Sequence, residues 1–228
     1  MNIQITYFGH SCFVVNTGSE KILFDPFITP NELASKIDIN TIQCDYILIT
    51  HGHADHIADA EVIAKRTNAL VISSFEVITW LENKGVSNTH SMNIGGKWKF
   101  PFGTVKMVEA IHSSSLPDGT YGGTAAGYVL ALNEKTFYFS GDTALYSDMK
   151  LIASQYNIDI AFLSIGDNYT MDIEEAMIAA EYIKTDKIIG MHYDTFPWIK
   201  IDHAKSKEVA IKANKELILM KIEETITI

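Results

Sequence analysis

The chain is poor in cysteine and in positive charge, and it has no long apolar run. Of 228 residues only Cys12 and Cys44 are cysteines, and they do not form a Cys-x-x-Cys pair. A disulfide scaffold is therefore not indicated, and two free thiols in a reducing compartment are expected. Lysine and arginine number 18 against 28 aspartates and glutamates, a net charge of −10, which speaks against affinity for a polyphosphate backbone. Bound divalent cations would offset part of that excess. No apolar stretch approaches membrane-spanning length. The opening Met1-Asn2-Ile3-Gln4-Ile5-Thr6 lacks both the basic region and the apolar core of a signal peptide. There is no linker, low-complexity tract or repeat. These absences predict a cytoplasmic protein with a small-molecule substrate and neither a nucleic-acid nor a membrane partner. They fit a single domain over residues 1–228 and are compatible with a homo-oligomer. A hydrophobic share of 47% and a mean hydropathy of +0.07 suit a soluble globular chain with a sizeable core.

What is present is concentrated in Thr50-His51-Gly52-His53-Ala54-Asp55-His56. Imidazole and carboxylate are ligands for zinc, iron or manganese. A single histidine after a strand is ordinarily a polar loop residue, but four metal-competent groups in this order are not explained that way. The stretch follows Tyr46 to Ile49, which reads as a buried strand, and precedes a helical apolar spacing over His56 to Arg66. The cluster thus falls on a strand-to-helix turn.

Elsewhere, Ile3 to Phe8 alternates like a half-buried strand, and Cys12 to Val15 with Lys21 to Phe24 reads as a hairpin. Residues 27 to 45 lack a period. Strands are expected at Ala69 to Ser73, Thr104 to Ile111, Asp159 to Ser164, Lys187 to Met191 and Leu217 to Ile222, with a second hairpin turning at Asn133-Glu134. Helices are expected over Ser74 to Lys84, Ser147 to Gln155, from Asp172 as N-cap, and from Asp202 to about Lys212. Ser113 to Gly123 reads as a mobile polar loop. A recurring pattern joins these parts: a hydrophobic strand ends and a metal-competent residue follows, at His10, Asp25, His51, His112, Asp142, Asp167 and His192. Strand ends on one edge of a sheet lie close together, so such residues build one site from distant sequence. His90 and His203 read as surface residues, and Cys12 as packed in the sheet.

In its order of motifs, His51-x-His53-x-Asp55-His56, His112, Gly141-Asp142-Thr143 and His192, the chain resembles the metallo-β-lactamase fold superfamily of metal-dependent hydrolases along nearly its whole length. Gly9-His10-Ser11, Phe24-Asp25-Pro26, Gly122-Gly123-x-x-x-Gly127-Tyr128 and His192-Tyr193-x-Thr195-Phe196-Pro197 further resemble the branch containing ascorbate-6-phosphate lactonase-like proteins. Where that branch often has proline before Ile-Gly, this chain has Ser164-Ile165-Gly166. The resemblance implies an α/β (α+β) protein, a four-layer αββα sandwich of two mixed β-sheets with helices on the outer faces. It also implies two divalent metal ions, zinc first, with manganese or iron as alternatives. His51, His53 and His112 would hold the first ion, Asp55, His56 and His192 the second, and Asp142 would bridge. Asp25 is either an acceptor that orients a ligand imidazole or a plain Asp-Pro turn.

The activity so implied is hydrolysis of a small ester-type substrate, a lactone or phosphodiester, by a metal-activated hydroxide in a dinuclear site. Asp55, Asp142 and His10 are the candidate catalytic residues, with His10 expected to donate a hydrogen bond to a substrate oxygen. The alternatives are an iron-dependent, oxygen-using or redox enzyme on the same scaffold, and a metal-binding module without activity.

Overall fold

The computed structural model describes residues 2–132 and 135–228; the expected turn at Asn133-Glu134 lies outside them. The described residues form two compact units. The first runs to Gly96 and adds Ser113–Ala125 and Lys221–Ile228. It contains strands β1 (Gln4–Gly9), β2 (Cys12–Asn16), β3 (Lys21–Phe24) and β4 (Tyr46–Leu48), helices α1 (Ala54–Ile57) and α2 (Ala60–Thr67), strand β5 (Leu70–Ser74), helix α3 (Phe75–Asn83) and strand β6 (Thr89–Met92). A C-terminal strand, Thr225–Thr227, pairs with β1 and begins a mixed sheet that continues β1-β2-β3-β4-β5-β6. The alternation read in the first strand is real: Ile3, Ile5 and Tyr7 are buried. One face of this sheet carries Val14, Leu23, Ile47 and Val71, packed with Ile57, Ile63, Val77 and Leu81 of the helices in one apolar cluster.

The second unit comprises Lys97–His112 and Ala126–Met220. Its strands are β7 (Lys97–Phe100), β8 (Gly103–Glu109), β9 (Ala126–Leu132), β10 (Lys135–Phe139), β11 (Ile160–Ser164), β12 (Lys187–Met191) and β13 (Glu216–Ile218). Helices α4 (Met149–Gln155), α5 (Ile173–Tyr182) and α6 (His203–Lys212) complete it. The sheet order is β13-β12-β11-β10-β9-β8-β7, again mixed. Its helices bury Met149, Ile152, Ala176 and Ala180 against Ala161, Leu163 and Ile188. Asp172 and Asp202 are N-caps, accepting from Glu175 N and Lys205 N at 2.7 and 3.0 Å.

Two expectations are corrected, and two strands are added to those expected. The helix foreseen over His56 to Arg66 is two helices, because Asp59 interrupts it. Asp59 Oδ2 accepts from Ile28 N and Thr29 N at 2.7 and 2.8 Å, and its own N–H donates to Pro26 O at 3.0 Å. The strands β6 and β7 on either side of the Gly95-Gly96 turn gave no period-two signal, since each lies at the edge of its sheet. Lys97, Trp98 and Lys99 are all exposed, the charged edge that discourages pairing with another chain. The closing strand expected over Leu217 to Ile222 stops at Ile218, and the chain turns before Thr225–Thr227.

Topology puts the functional loops of each sheet on one edge. In the first, β1 and β3 are both antiparallel to β2, and β3, β4 and β5 are mutually parallel. The segments after β1, β3, β4 and β5 therefore leave together. In the second, β8 and β10 are both antiparallel to β9, and β10, β11 and β12 are parallel. His112, Asp142, Asp167 and His192 follow those four strands in turn. Among the described residues no helix is long and apolar enough to cross a membrane.

Candidate metal centre

The first unit gathers His10, His51, His53, Asp55 and His56. Asp25 organises two of these imidazoles. Its carboxylate accepts from Thr50 N and Thr50 Oγ1, both at 2.8 Å, and from His56 Nδ1 at 2.8 Å. Asp25 is fully buried, which pushes its carboxyl up from the usual range, while the His56 imidazole works against that rise. Because the single proton of Thr50 Oγ1 goes to Asp25, this oxygen accepts from His51 Nδ1 at 2.9 Å. Both rings thus carry their proton on Nδ1 and their lone pair on Nε2, the form a metal requires. Of the two readings of Asp25, the geometry selects the orienting acceptor.

His53 is set by a different hand. Its Nδ1 lies 2.9 Å from His51 Nε2, and Ser113 Oγ lies 3.3 Å from its Nε2. Beside it, Gly52 N donates to Ser114 Oγ at 3.1 Å, and Ser114 Oγ donates to Gly122 O at 2.8 Å. A Cβ at Gly122 would come within 2.7 Å of that hydroxyl. The segment read as mobile is thus cross-tied, with a bridge between Ser115 and Tyr121 and Leu116 N donating to Thr120 O at 2.9 Å.

His10 is fully buried, with Nε2 3.1 Å from Asp55 Oδ2 and its ring edge-on to Phe27. His56 Nε2 lies 3.9 Å from the same oxygen. His10 and Asp25 have φ of 57° and 40°, a left-handed conformation that costs a non-glycine residue roughly 1–3 kcal/mol and is held only where surroundings impose it.

In the second unit, Asp142 Oδ2 lies 2.8 Å from His192 Nε2 and 3.7 Å from His112 Nε2. Thr143 Oγ1 accepts from Ile111 N at 3.0 Å, tying the Asp142 turn to the residue before His112. His192 repeats the left-handed conformation, with φ 58°. Its carbonyl passes so close to Gly166 that a Cβ there would lie 2.1 Å from the oxygen. Asp167 does not join; it is an exposed turn residue whose Oδ1 accepts from Asn168 N.

Ser113, Ser114, Thr143 and Gly166 were not picked out by sequence as supports. Thr143 and Gly166 stand out in the sequence as parts of Gly141-Asp142-Thr143 and Ser164-Ile165-Gly166, and Ser113 and Ser114 as loop residues toward a substrate. His203, expected at the surface, is half exposed, with Nε2 2.6 Å from Asp194 Oδ2. His90 is half-buried in β6.

The donor set fits a transition metal. Tetrahedral zinc with bonds of about 2.0–2.1 Å holds its ligand atoms about 3.4 Å apart, and His51 Nε2 and His53 Nδ1 approach that spacing. Mixed sheets flanked by helices, with a His-x-His-x-Asp-His turn leaving a strand, are the mark of the metallo-β-lactamase fold. Residues 20–193 match the family described as Beta-lactamase superfamily domain. A UPF0173 metal-dependent hydrolase of Flavobacterium johnsoniae is 50% identical over 98% of this chain and 99% of its own. The UPF0173 metal-dependent hydrolase YtkL of Bacillus subtilis is 47% identical over 88% and 89%. The solved structure of Igni18, a metallo hydrolase from Ignicoccus hospitalis, superposes with a TM-score of 0.90 at 34% identity, covering 100% and 99% of the two chains. This chain belongs to the metallo-β-lactamase superfamily, in its UPF0173 family of metal-dependent hydrolases.

Proposed function

We propose that this hydrolase opens a small ester-type substrate, a lactone ahead of a phosphodiester, using two divalent cations, zinc first. The two units would act as one catalytic domain, a reading supported by the family match running through both. His51, His53 and His112 would hold one ion, Asp55, His56 and His192 the other, with Asp142 between them. The observation that carries this is the Asp25–Thr50 relay, which commits the Nε2 lone pairs of His51 and His56 to ligation.

When bound, such ions supply the acidity that makes water a nucleophile near neutral pH and the polarisation of the ester carbonyl. The chain's own residues do the rest. Asp25 and Thr50 hold two imidazoles by Nδ1 and aim their Nε2 atoms. Ser113 holds the far nitrogen of His53. His10 donates to Asp55 at rest and, in turnover, to the developing charge on a substrate oxygen. No serine or cysteine nucleophile is required. The lactonase-like motifs support ring opening as the reaction. A cytoplasmic location follows from the sequence reading and belongs to the same proposal.

The test is metal analysis of protein purified without added metal, paired with lactone, phosphodiester and thioester substrates. Two equivalents of metal and ring opening with zinc or manganese are expected. Oxygen consumption with iron and no hydrolysis would overturn the reading.

A further inference from the structure

The first unit contains a groove of about 470 Å³ between α3 and the segment 113–125. Its apolar walls are Phe75, Trp80, Leu116 and Tyr121. Phe75 and Tyr121 are 62% and 69% exposed, a large apolar area to leave in water unless something covers it. One wall of the groove adjoins the metal-binding turn through Leu116: a Cβ on Gly52, between His51 and His53, would lie 3.0 Å from Leu116 Cδ2.

Its charge has one sign toward a ligand. Glu76 and Asp118 line it, and its one cation, Lys84, is folded over the Trp80 ring with Nζ 4.3 Å from the centroid. Thr120, then Trp80, hold the Asp118 carboxyl down at about 2, so it is ionised at any working pH. The remaining strand-end segments of this unit, 9–11, 25–31 and 50–56, contain no lysine or arginine. In the second unit, 110–112, 140–148, 165–172 and 192–202 contain Lys200 alone, among several aspartates. Phosphate and carboxylate groups are ordinarily recognised by arginine forks or lysine. Across the groove and these segments there is no arginine, and the two lysines are Lys84, stacked on Trp80, and Lys200.

We propose that the part of the substrate that does not react is an uncharged alkyl or aryl group seated in this groove, and that substrates with a remote phosphate or carboxylate are rejected. This rests on the ester-hydrolase reading and narrows it. The likeness to ascorbate-6-phosphate lactonase-like proteins then extends to ring opening and not to a phosphorylated substrate.

The binding test does not need turnover. In the metal-loaded double variant Trp98→Phe, Trp198→Phe, emission reports Trp80. Titration with 4-phenyl-1-butanol should give a saturable change at a concentration at least tenfold below that for 4-phenylbutyrate. Added salt should narrow the ratio by screening. Phe75→Ala with Tyr121→Ala should weaken the alcohol at least fivefold while metal content stays the same. Equal or tighter binding of the butyrate, or no saturable response to the alcohol, would overturn the proposal. A second arm compares a γ-butyrolactone bearing a hexyl chain with one bearing a carboxylate. At least a tenfold higher kcat/KM is expected for the hexyl lactone. If neither lactone is opened while the binding contrast holds, the lactonase reading fails and the groove assignment stands.

Discussion

At the scale of single residues, composition and identity were legible and hydrogen-bond direction was not. His51, His53, Asp55, His56, His112, Asp142 and His192 stood out by type and by position after apolar runs. That Thr50 passes the carboxylate of Asp25 on to His51 depends on which hydroxyl proton goes where, and no spacing encodes it. The same holds for Ser113, one of three adjacent serines, of which this hydroxyl alone reaches His53 Nε2. Ser113→Ala should weaken the site proposed to contain His53 tenfold or more, the usual scale for losing a partner of a ligand imidazole. Competition against a chelating dye measures it, and an unchanged affinity would show that Ser113 does not orient His53. His10→Ala should keep both metals and lose about a hundredfold in kcat. Loss of an ion instead would make His10 a ligand, and a lower melting temperature with kcat intact would make it a structural tie.

Among the elements, helices with side-chain caps were readable because Asp172 and Asp202 announce their starts locally. Asp59 was not, because its partners lie some thirty positions earlier, at Ile28 and Thr29. Edge strands escaped for the opposite reason: β7 is exposed at all but Phe100 and β6 is half-buried at Thr89 and His90, so neither carries an alternation to read. One tie between elements is electrostatic. Lys215, between α6 and β13, has Nζ 2.8 Å from Asp186 and 3.2 Å from Glu181 at the end of α5. Burial works to lower its pKa, and the two carboxylates outweigh that, raising it above the ordinary 10.5. A lysine raised on folding stabilises fully below its unfolded pKa and ceases to as pH climbs through the folded one. The stability gap between the wild type and Lys215→Met, read by urea denaturation, should therefore be constant up to about pH 10 and shrink above it. A gap that widens with alkalinity would contradict the pairing.

For the whole molecule, the lack of disulfides and the apolar fraction foretold a core that stands without staples. Metal binding should add to it. An ion at a thousand times its Kd stabilises by about 4 kcal/mol, so a chelator should lower the melting temperature by roughly ten degrees and leave the chain folded at 25 °C. Unfolding at that temperature on chelation would make the metal structural. The sheets and helix layers were legible through periodicity and motif order. The groove beside α3 was not, because it is formed by Leu116 and Tyr121 folding back over a helix forty residues earlier.

The left-handed residues at the strand ends have a bearing on how this protein can be improved or can drift. Glycine adopts φ near 58° without the penalty that an imidazole-bearing residue incurs, roughly 1 kcal/mol or more. Measured in chelator, where no ligand contribution remains, His192→Gly should melt a few degrees above His192→Ala. Equal melting points would show that the turn after β12 relaxes without cost. At position 192 the backbone term alone therefore favours glycine in chelator, while a bound ion, worth about 4 kcal/mol at a thousand times its Kd, favours the histidine. A heat screen run in chelator should thus drift toward metal-free variants at this turn, and one run with metal present should keep His192.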